Sequence, residues 1–162
     1  MKKLLLLILV VFGFSLSSQA QSISKNALGL RLGDSDGFGT EISYQRGLSE
    51  NNRLELDLGW VNRSHYDAFR LVGLYQWVWN IDGGFNWYAG LGAGLGARDF
   101  DSHPNYRHDG NGFFGLLAGD VGIEYNFDFP LLISLDFRPE IGFDDYTDDL
   151  GFDIALGIRY QF

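Results

Sequence analysis

Residues Leu150 to Phe162 read LGFDIALGIRYQF, so that Phe152, Ile154, Leu156, Ile158, Tyr160 and Phe162 alternate with Gly151, Asp153, Ala155, Gly157, Arg159 and Gln161. A strict period of two is the signature of a β-strand with unlike faces. One face here is continuously apolar and ends on an aromatic residue. The other carries only small, charged or amide groups. That is the pattern of a membrane-barrel strand with its apolar side to lipid.

The alternation recurs along the rest of the chain. Leu28, Leu30 and Leu32 oppose Gly29 and Arg31, and Phe38, Thr40, Ile42 and Tyr44 oppose Gly39, Glu41, Ser43 and Gln45. Leu54, Leu56, Leu58 and Trp60 oppose Arg53, Glu55, Asp57 and Gly59. In 68–79, Phe69, Leu71, Tyr75, Trp77 and Trp79 oppose Arg70, Val72, Leu74 and Gln76; in 85–97, Trp87, Ala89, Leu91, Ala93 and Leu95 oppose Gly90, Gly92, Gly94 and Gly96. Val121, Ile123, Tyr125 and Phe127 then face away from Asp120, Gly122 and Glu124, and Leu131, Ile133, Leu135 and Phe137 away from Ser134, Asp136, Arg138 and Glu140. Turn-rich segments separate these runs at 34–37, 47–52, 63–66, 80–84, 98–111, 128–130 and 142–149. Strands of about ten residues each, eight in number, predict an all-β fold, an eight-stranded antiparallel transmembrane β-barrel.

Met1 to Ala20 has a basic start at Lys2 and Lys3, an apolar run from Leu4 to Leu16, and small residues at Ser18 and Ala20. This is the layout of a cleaved signal peptide over 1–20, which leaves 21–162 as one barrel domain. Its removal deletes two lysines and takes the formal charge from -9 to -11. An acidic chain lacks the basic footprint of a nucleic-acid binder. There is no cysteine, hence no disulfide or thiol chemistry. Lys25 is the one lysine left, and the other mature cations are arginines, which suit planar, desolvated pairing with carboxylates.

A soluble lipocalin-like barrel also alternates, with its apolar face inward. Two features favour the inverted arrangement. The polar face is built of Gly, Ala, Ser, Arg, Asp and Glu, as suits a cramped lumen. Aromatic residues of the apolar face gather at strand ends: Tyr44, Trp77, Trp79, Trp87, Tyr125, Phe127, Tyr160 and Phe162 at one end, and Phe38, Trp60, Phe69, Phe113, Phe143 and Phe152 towards the other. Two aromatic belts around an aliphatic band match the two interfaces of a bilayer.

On these residues the chain resembles the small outer-membrane β-barrel proteins of the OmpX/OmpA-like group and the Bacteroidetes-type outer membrane β-barrel domain. The series Ile158, Tyr160 and Phe162 resembles the C-terminal signal read by the barrel assembly machinery. The resemblance implies a bacterial outer-membrane location, contact with lipid and lipopolysaccharide, and the assembly machinery as a partner during insertion.

Inward charges are expected at Arg31, Arg53, Arg70, Arg138 and Arg159, and at Glu41, Glu55, Asp57, Asp120, Glu124, Asp136, Glu140 and Asp153. An eight-stranded interior is just wide enough for side chains, so the expectation is a salt-bridge network that plugs the barrel; the alternative is a narrow ion-conducting pore. The glycines at 90, 92, 94 and 96 are expected to make room for long Arg and Glu side chains from neighbouring strands, or to let the strand coil. Their G-x-G-x-x-A string has no following helix and is no dinucleotide site.

Asp34-x-Asp36-Gly37 begins like a calcium loop but has Gln45 at its twelfth position, and no metal or cofactor is expected. Ser64, His65, His103 and His108 fall at the outer rim, where lipid A deacylases and palmitoyltransferases on similar barrels keep their catalytic groups. The palmitoyltransferases' N-terminal helix and the deacylases' His and Ser spacing are both missing. The expected role is therefore non-catalytic, structural or surface-interacting, with a lipid-modifying enzyme as the alternative. Acidic segments 98–111 and 142–149 are the expected contact for an extracellular partner.

Overall fold

The computed structural model describes residues 23–35, 38–63, 66–100, 112–143 and 150–162. Eight strands follow in order: β1 (Asn26–Ser35), β2 (Phe38–Gly47), β3 (Asn52–Arg63), β4 (Tyr66–Asp82), β5 (Phe85–Phe100), β6 (Gly112–Asn126), β7 (Leu131–Phe143) and β8 (Leu150–Gln161). Each pairs antiparallel with the next, and β8 pairs with β1 to close the sheet. Closure satisfies the edges that an open sheet would leave unpaired, which is the condition for crossing hydrocarbon with strands.

The registers impose a tilt. The path of partners from Leu28 runs through Tyr44, Leu56, Gly73, Ala93, Leu117, Ile141 and Leu150, and the β8–β1 register, extended to Leu150, falls about ten residues beyond Leu28, past the end of β1. A stagger of this size tilts the strands strongly across the barrel wall.

The strands are less uniform than the alternation suggests. β4, β5 and β6 have 17, 16 and 15 residues, whereas β1 and β2 have 10 each. The expected loop at 98–111 yields residues 98–100 to β5, and Arg98 pairs with Gly112. Arg63 and Tyr66, read from sequence as loop, are a paired end of β3 and β4. Ladder pairing between facing strands extends the β-structure past the last residue whose own polarity alternates.

One end of the barrel holds the chain ends and the tight turns. Asn26 and Phe162 exchange backbone hydrogen bonds of 3.1 and 2.9 Å there. Gly83 takes a positive φ of 53° in the β4–β5 turn, where the Asn80 side-chain amide donates to its carbonyl at 3.1 Å. Other residue types resist that left-handed conformation.

The outer surface is apolar. Leu91 and Ile154 are each 66 % exposed, while Arg138 and Arg159 are at 0 %. A water-soluble protein has the opposite distribution. At the end holding the termini, Trp79 stacks on Trp87 at 4.3 Å, and Phe85, Tyr125, Phe127 and Phe129 form a continuous edge-to-face and tilted chain. Offset and edge contacts suit aromatic quadrupoles.

Candidate functional site: the charged lumen

All thirteen charged residues assigned above to the lumen are buried inside the barrel. They form two hydrogen-bonded groups. Near the middle and the end remote from the termini, Glu41 on β2 binds three guanidiniums at once. Its carboxylate accepts from Arg31 at 3.0 Å, from Arg70 at 2.8 Å and from Arg138 at 2.9 Å. Arg31 also pairs with Asp136 and, at 2.5 Å, with Asp153. Arg138 reaches Asp57 at 3.0 Å and Glu140 at 2.8 Å, and Arg70 reaches Glu140 at 3.0 Å. Planar guanidiniums with several donors are what lets three cations and five carboxylates interlock in so small a space.

The second group lies towards the termini. Arg159 donates to Glu55 at 3.0 Å, to the Ser43 hydroxyl at 2.9 Å and to the Ser134 hydroxyl at 2.8 Å. Glu55 also accepts from Gln45 at 2.5 Å and from Gln76 at 3.2 Å. Arg53 donates to Gln76 at 2.5 Å, pairs with Glu124 at 2.7 Å and lies 4.7 Å from the centroid of the Tyr88 ring. Gln76 donates in turn to Asp120, and Asn86 to Glu124 at 3.2 Å. Gln45, Gln76, Asn86, Ser43, Ser134 and Tyr88 were not singled out from sequence as members of this network. Their signal was positional: each shares inward parity with the charged residues of its strand or, for Asn86 and Tyr88, with the inward glycines of β5.

The lumen is not charged throughout. Val72, Leu74, Leu116 and Ala118 form a buried apolar cluster with Phe114 packed against it, so the wall of β4, β5 and β6 fills its side with hydrocarbon. This corrects the reading of the β5 glycines. A Cβ at Gly94 would meet Leu71 O, Val72 Cγ2 and Leu116 Cδ1, and one at Gly96 would enter the Phe114 ring. At Gly92 it would meet the Gly73 carbonyl, and only at Gly90 is the nearest side chain polar, that of Gln76. These glycines admit a close strand and apolar side chains, and no Arg or Glu side chain is among their nearest contacts.

Ile158, Tyr160 and Phe162 face outward, at 42, 60 and 61 % exposure. Ser64, His65, His103 and His108, with the aspartates at 101, 109, 144, 145, 148 and 149, lie outside the described residues. Among the described residues no set of three or more histidines and carboxylates is placed to hold a metal ion.

By sequence, the chain matches no family model and no curated protein. By structure it is similar to the N-terminal β-barrel domain of Pseudomonas aeruginosa OprF, at 13 % identity and a TM-score of 0.67, over 86 % of this chain and 98 % of that one. Neisserial surface protein A aligns at 12 % identity and a TM-score of 0.60, covering 85 % and 94 % of the two chains. Ail, the attachment invasion locus protein of Yersinia pestis, aligns at 18 % identity and 0.51, covering 86 % and 97 %. The chain thus has the fold of the small eight-stranded outer-membrane barrels.

Proposed function

We propose that this chain is a non-catalytic integral protein of the bacterial outer membrane, exported by a signal peptide cleaved after Ala20, with a structural or surface-interaction role. The observation that carries this reading is the pairing of an apolar exterior with a lumen packed by side chains. A barrel filled by an ion-pair network and a hydrocarbon cluster is a rigid pillar. It has little room for a substrate. Its outward Leu, Ile and Val band suits acyl chains, and its aromatic ends suit the headgroup interfaces, including lipopolysaccharide on the outer side.

The likeness to a protein named for attachment and invasion supports contact with a partner outside the cell. Ail has also been solved with the heparin analogue sucrose octasulfate. Here segments 98–111 and 142–149 carry seven aspartates between them, at 99, 101, 109, 144, 145, 148 and 149. Acidic loops disfavour a polysulfated ligand and suit a cationic partner. In the cell, the assembly machinery is the proposed partner during insertion, through Ile158, Tyr160 and Phe162.

The test compares lipid A by mass spectrometry from cells with and without the protein, alongside membrane fractionation. The expected result is outer-membrane recovery, heat-modifiable migration on a detergent gel and unchanged lipid A. A change in acyl chains abolished by His65→Ala, His103→Ala or His108→Ala would replace this reading with a lipid-modifying enzyme.

A further inference from the structure

Eight carboxyl groups and five guanidiniums share the lumen, and none of these residues is more than 6 % exposed. Full ionisation would leave three negative charges uncompensated where little water can reach them. An unpaired buried charge is among the costliest features a fold can carry. The shortfall divides between the two groups, since five carboxyls face three guanidiniums in one and three face two in the other.

The shortfall also has positions. Seven of the eight carboxyls have a guanidinium within ion-pair distance. Asp120 does not. It accepts from the Gln76 amide, and the same amide nitrogen also serves Glu55. Four further carboxylate oxygens, on Asp57, Glu124, Asp136 and Glu140, are buried without a hydrogen-bond partner, but each of these carboxylates has a guanidinium at ion-pair distance. A metal ion needs several oxygens converging on one point, and no such group of carboxylates exists among the described residues. Single leftover oxygens suit a proton.

We propose that the folded lumen is a proton-binding site, with Asp120, the carboxyl that has no guanidinium beside it, carried as the neutral acid. The charged and polar groups facing Asp120 are Gln76 on β4, Tyr88 on β5, Asp136 on β7, Glu55 on β3 and Arg31 on β1. Arg138, its register neighbour on β7, is committed to Glu41, Asp57 and Glu140. In the unfolded chain near neutral pH Asp120 is ionised, so folding takes a proton from solvent. The folded state then binds more protons than the unfolded one, and stability falls as pH rises. For each proton taken up, the folding equilibrium constant drops about tenfold per pH unit in this range.

The experiment uses the mature barrel folded in detergent micelles. Infrared spectra of protein labelled with carboxyl-13C aspartate are compared at neutral pH for the wild type and Asp120→Asn, with Asp57→Asn and Asp136→Asn as controls. Proton uptake on folding is measured by pH-stat in sodium and in potassium chloride. The expected result is a protonated-acid carbonyl band that Asp120→Asn diminishes, and net proton uptake indifferent to the choice of cation. Should that variant fail to fold, the wild-type band and the uptake still decide. Absence of the band together with no uptake overturns the proposal. Stability that rises with sodium or potassium concentration and ignores pH also overturns it, in favour of bound metal cations.

Discussion

Replacing Arg138 by leucine removes the cation on which Asp57 depends. Arg138 is completely buried, and its guanidinium contacts Glu41 at 2.9 Å, Asp57 at 3.0 Å and Glu140 at 2.8 Å. After the change Glu41 retains Arg31 and Arg70, Glu140 retains Arg70, and Asp153, 3.7 Å from Arg138, retains Arg31. Asp57 retains no guanidinium at ion-pair distance among the described residues. Breaking a buried pair by removing one partner costs about 3–5 kcal/mol, because a charge is left without compensation. Retained partners for three of the four carboxylates place the expected loss at the lower end, about 3 kcal/mol, with Asp57 responsible for most of it. The assay is reversible urea unfolding in lipid vesicles, read by the gel shift between folded and unfolded bands. The double variant Arg138→Leu with Asp57→Asn should recover more than half of the loss, since it removes the stranded charge. A single variant within about 0.5 kcal/mol of wild type, or a double variant less stable than the single, would refute the reasoning.

Glu41→Gln withdraws the anion shared by three guanidiniums and should be the most damaging isosteric substitution in the lumen, at about 3–5 kcal/mol by the same unfolding assay. Gly92→Val places a branched side chain against the Gly73 carbonyl and should abolish the folded band on a detergent gel, whereas Gly112→Val, with open space around it, should fold normally. Trp87→Ala removes the ring stacked on Trp79 and should cost about 0.5–1.5 kcal/mol beyond the loss of buried area, measured in the same vesicles. Deletion of Phe162 should leave the precursor processed but poorly inserted, as read by outer-membrane fractionation; normal insertion would assign Phe162 no role in assembly.

Strand number and the direction in which each side chain points were legible in the sequence, because both follow from a local period of two. Arg31, Glu41, Arg138 and Arg159 could be placed inside, and Leu135 and Leu156 outside, since a slip of one residue would turn every side chain of a strand over. Signals of this kind say nothing about which inward residues meet across the lumen. That Glu41 of β2 holds Arg31, Arg70 and Arg138, from three other strands, depends on closure and on a stagger that brings β1, β2, β4 and β7 to one level. The same closure leaves Asp120 without a cation and sets Val72, Leu74, Leu116 and Phe114 against the glycines of β5. Polarity along a strand records the medium each face meets. Partner choice inside a barrel is a property of its circumference, which no single strand contains.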